Sequence, residues 1–145
     1  MHNDGELSMT LVVKHGREQE AADFYQVAFG ARVVTHHHGT GGLMAVDMDF
    51  GTVRICVAGA NPKRDEDGSL GGPRSPEASG TLSATLRLAV RDLEAAVSTA
   101  TGAGATVRDP IQNDTAGRRV ATLFDPFGHF WALVQRQRAE LSEAA

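Results

Sequence analysis

The sequence has one cysteine, Cys56, so no internal disulfide is open to it. It lacks the cysteine density of small secreted scaffolds, and a reducing, cytoplasmic setting is expected. No apolar run approaches the roughly 20 residues that span a bilayer, so no membrane partner is expected. The start, Met1-His2-Asn3-Asp4-Gly5-Glu6, is polar and acidic and has no apolar core of a secretory signal. Excess positive charge is missing as well, since the formal net charge is −4. Nucleic-acid surfaces draw affinity from clustered Lys and Arg, so no nucleic-acid partner is expected. No serine nucleophile elbow occurs. Gly39 to Gly42 is glycine-rich without the lysine and following helix of a phosphate loop.

What is present suffices for folding. The chain has 145 residues, 41% hydrophobic and 22% charged, which fits one globular domain over 1–145. Residues 8–14 predict a strand by their β-branched content, Thr10, Val12 and Val13. Ala21, Phe24, Tyr25, Ala28 and Phe29 recur at spacings of three and four, predicting a helix with one buried stripe that Gly30 ends. Arg32 to His38 predicts a second strand, and Gly39 to Gly42 a hairpin turn. From Leu43 to Phe50, Met44, Val46, Met48 and Phe50 alternate with Ala45, Asp47 and Asp49, as in a half-buried strand. Val53 to Ala58 is a fourth strand. Residues 59–80 are rich in Gly, Pro, Ser and charge and show no hydrophobic period, so a linker or lid is expected there.

The order then repeats. Leu82 to Val90 predicts a strand, Asp92 a cap for a helix with Leu93, Ala96, Val97 and Ala100 as its stripe, and Gly102 and Gly104 its end. Thr106 to Arg108 is strand-like up to Pro110. Arg118 to Phe124 and Phe130 to Gln135 complete the set, and residues 136–145 are a polar tail. Two modules, 8–58 and 81–136, thus share the order strand, helix, strand, strand, strand. The predicted class is α+β, with each sheet covered by a helix on one face. The opposite faces are mixed in polarity and would make a poor dry core, so a cavity between two curved sheets is expected.

The paired βαβββ plan, the segments Ala22-Asp23-Phe24-Tyr25 and Ala28-Phe29-Gly30-Ala31, and the run Asp125-Pro126-Phe127-Gly128-His129-Phe130-Trp131 together carry a resemblance. The chain resembles the vicinal oxygen chelate superfamily of glyoxalases, bleomycin-resistance proteins and extradiol dioxygenases, over roughly residues 8–136. Its closest likeness is to the PhnB-like, bleomycin-resistance-like branch. The resemblance implies concave mixed sheets, a homodimer with pockets at the subunit junction, and, in the metalloenzymes, a His, a Glu or Gln, a second His and a Glu as metal ligands. The matching positions are Met9, Arg54 or Cys56, Thr85 and Ala132, none of which suits a hard divalent ion. No metal and no cofactor are therefore expected.

Other candidates read as structural. His36 and His38 share a strand face but make at most a two-imidazole site, short of the three protein ligands a catalytic centre uses. His129 follows a turn glycine and is expected to hydrogen-bond within the turn. Cys56 has Arg54 two residues away, yet a buried, inert thiol is the expectation. Asp47 and Asp49 are expected to be solvated or paired with arginine. Strand parity instead points to a pocket face of Met9, Leu11, Arg54, Cys56, Thr85, Arg87, Phe130 and Ala132. Such a face suits a small hydrophobic or aromatic ligand, or an anionic group held by arginine. The expected function is a metal-free binding protein that sequesters a compound such as an antibiotic. The alternative is a glyoxalase-like lyase, isomerase or dioxygenase with an atypical or absent metal site.

Overall fold

The computed structural model describes residues 4–137. They form two compact units, divided between Ser79 and Gly80. The first holds a four-stranded sheet of β1 (Met9–Val13), β2 (Arg32–Gly39), β3 (Gly42–Phe50) and β4 (Val53–Gly59), in the order β1-β4-β3-β2. β1 runs parallel to β4 and the other neighbours are antiparallel. Parallel neighbours need a long crossover, and α1 (Glu18–Phe29) begins it. The second unit holds β5 (Leu86–Val90), β6 (Thr106–Asn113), β7 (Arg119–Phe124) and β8 (Phe130–Gln135), in the order β5-β8-β7-β6. There β5 is parallel to β8. A helix, here called α4 (Leu93–Gly102), follows β5. The expected α+β class, with two βαβββ modules, is the class adopted.

Local chemistry sets these boundaries. Glu18 and Glu20 sit in the first turn of α1, where the helix dipole favours negative charge. Gly30 closes α1 at φ 70°, a left-handed conformation that glycine takes without strain. The stripe of α1 buries Ala21, Phe24, Tyr25 and Ala28. It covers Val46, Met48, Ile55 and Val57 of the sheet, all 4% exposed or less. Asp92 caps α4 by accepting from the Ala95 N–H at 3.1 Å. Leu93 and Ala100 turn inward from α4, against a sheet that buries Ala121, Leu123, Trp131 and Leu133.

Residues 59–80, expected as a linker or lid, carry short helices, and up to Ser79 they belong to the first unit. These are α2 (Pro62–Glu66), a 3-10 turn (Gly68–Leu70) and α3 (Pro76–Ser79). Polar bonds rather than an apolar stripe organise the segment, which is why no hydrophobic period marks it. Ser75 is fully buried and donates its Oγ–H to Asp65 Oδ2 at 2.6 Å, while its N–H reaches Oδ1 at 2.8 Å. Arg74 clamps the Arg64 and Asp65 carbonyls at 2.9 and 2.7 Å. Arg17, at the foot of α1, pairs with Glu77 of α3.

Two strand boundaries also differ. β5 starts at Leu86 rather than Leu82, leaving Leu82 and Thr85 outside it and exposed. β6 continues through Pro110 to Asn113. Proline lacks an N–H to donate, but β6 is an edge strand and its register shifts around Pro110, so no ladder bond is lost there.

The run Asp125 to Trp131 turns β7 into β8. Asp125 is 4% exposed and its carboxylate is a hub. Oδ1 accepts the N–H groups of Phe127 and His129 at 2.9 and 3.0 Å, and Oδ2 accepts the indole N–H of Trp131 at 2.9 Å. Trp131 is core, as its parity predicts. His129 enters the turn through its backbone, with its carbonyl accepting the Asp125 N–H at 2.9 Å.

Candidate functional site

Each sheet has one face under its helix and one face away from it. In the first sheet the pairing partners Asp47 and Cys56, and Asp49 and Arg54, share the face away from α1. Arg32, Thr35 and His37 join them from β2. The charges on this face are matched internally. Arg54 Nε donates to Asp49 Oδ1 at 2.8 Å, and Arg32 lies 3.6 Å from the other oxygen. His37 Nε2 lies 2.8 Å from Asp47 Oδ2. That bond, helped by one from Cys56, holds the Asp47 carboxyl below its ordinary range. Burial pushes the Cys56 thiol up to about 11, and the hydrogen bond and charge of Asp47 add to the rise. Cys56 is therefore a thiol at neutral pH, not a nucleophilic thiolate. The expected arginine pairing holds for Asp49, while Asp47 takes a histidine instead.

Met9 and Leu11 do not belong to this face. Met9 pairs with Ile55 and Leu11 with Val57, so both point to the α1 side, and Leu11 is only 4% exposed. Thr10 and Val12 are the β1 residues beside Cys56 and Ala58. The error has a physical source. Met-Thr-Leu-Val-Val is nearly all apolar, so no alternation marks which parity faces inward.

A pocket of about 630 Å³ sits at the β3–β4 turn, lined by Glu6, Leu7, Ser8, Asp49, Thr52 and Arg54 among others. Of the residues predicted for the site it includes Arg54 alone. Its charged lining is Glu6 and the same Asp49–Arg54 pair, which is already satisfied.

The second sheet brings together Arg87, Phe130 and Ala132 of the predicted residues. Arg87 pairs with Ala132, and Phe130 lies two residues along β8 on the same face. Thr85 precedes β5 and is exposed. Further residues complete the face. Phe124 pairs with Phe130, and their rings meet edge to face at 5.2 Å between centroids. Arg108 places its guanidinium 5.7 Å from the Phe130 ring centre and donates to Asp109 at 2.9 Å. Thr122, opposite Ala132, donates its hydroxyl to the same Asp109 carboxylate. The alternation of Thr122 and Phe124 with Ala121 and Leu123 carried a readable signal for this face. Arg108 did not, because a register shift between Val107 and Asp109 breaks the parity of β6.

The histidine triplet is exposed on β2. His36 and His38 hold their ring centroids 6.4 Å apart, and His37 points to the other face. The donors at the positions matched to the metalloenzymes do not fit a hard cation. They are a thioether, an arginine tied to Asp49 or a high-pKa thiol, a threonine and an alanine. Replacing Met9 by its neighbour Thr10, which does share the Cys56 face, adds no imidazole. Among the described residues no three His, Cys, Asp or Glu side chains are grouped to hold a metal ion. Among the same residues no helix is long and apolar enough to cross a membrane.

Comparison with known proteins places this geometry. An uncharacterized protein of Mycobacterium bovis is 32% identical over 123 residues, covering 81% of this chain and 76% of its own length. A gene product of Arabidopsis thaliana superposes with a TM-score of 0.68 at 25% identity, covering 90% of this chain and 98% of that one. TioX from Micromonospora sp. ML1 superposes with a TM-score of 0.63 at 21% identity, covering 91% and 100%. A variant of the fosfomycin resistance protein FosX from Listeria monocytogenes, complexed with Mn(II) and 1S,2S-dihydroxypropylphosphonic acid, gives 0.65 at 15% identity, covering 99% and 100%. Residues 11–133 match the model of one family, and the chain belongs to it: the Glyoxalase/Bleomycin resistance protein/Dioxygenase superfamily.

Proposed function

We propose that the protein binds a small hydrophobic or aromatic molecule, such as an antibiotic, and sequesters it without turnover or metal. The observation that carries this reading is the arginine–aromatic face of the second sheet. Phe124 is 36% exposed there, in edge contact with Phe130 and next to the Arg108 guanidinium. Large exposed aromatics flanked by placed polar groups are the usual furniture of a ligand site. The metal-position donors support the same reading, because they suit no hard cation and supply no activated water. The reading includes a cytoplasmic homodimer of the bleomycin-resistance type, as the resemblance implies.

The second reading is a glyoxalase-like enzyme, favoured by the His37–Asp47 contact at 2.8 Å, which is the geometry of an acid–base pair. Two measurements separate the readings. Calorimetric titration of planar aromatic compounds should show saturable binding, with each compound recovered chemically unchanged. Elemental analysis after dialysis should show less than one metal ion per chain. Absence of binding across the panel, or a stoichiometric metal with turnover, overturns the proposal. Light scattering during size exclusion tests the homodimer, and a monomer at ligand-binding concentrations removes that part.

A further inference from the structure

Arginines on the two helix-free faces are not equivalent. Arg54 is bonded to Asp49 at 2.8 Å. Arg108 is bonded to Asp109 at 2.9 Å and leans on Phe130. Arg87 is exposed, and among the described residues no hydrogen bond or ion pair engages its guanidinium. Its charge acts on Asp114 and helps to hold that carboxyl below its ordinary range. Oδ1 of that carboxylate accepts the N–H groups of Ala116 and Arg118 at 2.9 Å each, and Oδ2 lies 3.7 Å from the Arg118 side chain. Arg87 therefore presents five unused donors in a planar fork.

Its surroundings give that fork a direction. Across the sheet the row runs Arg87, Ala132, Thr122, Asp109. Strands lie about 4.8 Å apart, so Arg87 and Thr122 stand roughly 10 Å from each other with only a methyl group between them. That spacing accommodates an aromatic ring over Ala132, bordered by the Phe130–Phe124 pair in the next row. Asp109 is paired with Arg108 and accepts the Thr122 hydroxyl, so Arg87 is the guanidinium of this row with no hydrogen-bonded carboxylate among the described residues. A cationic ligand would meet two guanidinium groups there. A neutral one would leave Arg87 unused.

We infer that this face selects a planar aromatic anion, its ring over Ala132 beside Phe130 and its carboxylate or similar group held by Arg87. The inference rests on the binding function proposed above and adds the charge of the ligand and the residue that reads it. Charge-assisted hydrogen bonds exceed neutral ones in strength, and about a ten-fold preference for the anion is expected.

The test is calorimetric titration with 2-naphthoate and its neutral isostere 2-naphthamide. Naphthoate should bind about ten-fold tighter than naphthamide to the native protein. Arg87→Gln should erase that preference by weakening naphthoate about ten-fold more than naphthamide, while Arg87→Lys should keep part of it. Unchanged melting temperatures for both variants establish that the fold is intact, as expected for an exposed side chain. Equal binding of the two compounds by the native protein overturns the charge assignment and leaves the binding function standing. A preference that survives Arg87→Gln overturns the role of Arg87. Failure of both compounds to bind counts against this inference, and failure of the whole aromatic panel removes the binding function with it.

Discussion

Asp125→Ala is expected to be among the most damaging single changes in the second unit. The Asp125 carboxylate accepts three N–H groups, from Phe127, His129 and the Trp131 indole. Phe127 and Trp131 are 0% and 2% exposed, so their donors gain no water when the acceptor goes. Each stranded buried donor costs about 1–3 kcal/mol, and the half-buried His129 N–H less. A loss of roughly 3–5 kcal/mol follows, a large share of the ~5–15 kcal/mol that holds an ordinary domain folded. With a urea dependence near 1.5 kcal/mol per molar, the midpoint should fall by about 2–3 M. Trp131 fluorescence follows the transition, because its indole sits in the perturbed turn. Asp125→Asn isolates one bond. It keeps an acceptor for the backbone groups and turns an amide N–H toward the indole, costing about 1–3 kcal/mol. In a Trp131→Phe background, which lacks the indole donor, that cost should shrink by about 1 kcal/mol. If Asp125→Ala unfolds within about 0.5 kcal/mol of the native protein, the turn is not held by this carboxylate.

Other expectations follow from the same geometry. Cys56, pushed up to about 11 by burial and by Asp47, should react slowly with iodoacetamide at neutral pH, and Asp47→Asn should speed the reaction; fast native alkylation contradicts the assignment. Asp47 is held low by His37, so its stabilising contribution is complete above its ordinary value of about 4 and lost as pH falls through the lowered one. Urea melts between pH 2 and 5 should accordingly show a gentler acid slope in His37→Ala, and an unchanged slope would refute the pairing. Gly104→Ala should destabilise by about 1–3 kcal/mol in urea, because glycine there has φ +119° and a Cβ would lie 3.2 Å from Pro126. Asp65→Ala removes both acceptors of Ser75 and should open residues 62–79 to proteolysis, with no such opening in the sheets. Equal cleavage of native and variant chains would show that the segment is held by something else.

The sequence was legible where one face of an element is wet and the other dry. β3 alternates, and Val46 and Met48 are fully buried as its pattern demands, whereas Met44 near its start is 58% exposed. The stripe of α1, the cap at Asp92 and the stop at Gly30 follow from single residues whose chemistry has few alternatives. Parity failed on β1, where Leu11, Val12 and Val13 are apolar on both sides and only the ladder with β4 fixes which way Leu11 points. The short helices between β4 and β5 were invisible for a different reason. Their stability lies in side-chain-to-backbone bonds such as Arg74 to the Asp65 carbonyl, which leave no periodic trace. Within the binding face, Arg87, Phe130 and Ala132 were readable from alternation, whereas Arg108 arrives through a bulge. Which arginine is free could not be read at all, since Arg54 and Arg87 look alike until their partners are placed.

In both units the opening strand finds its partner in the closing one: β1 with β4, and β5 with β8. A ribosome emitting this chain would finish the first sheet by Gly59, well before the second sheet had begun to appear. The early half can therefore complete its own strand pairing ahead of the later half, with β1 and β2 left as its two edges.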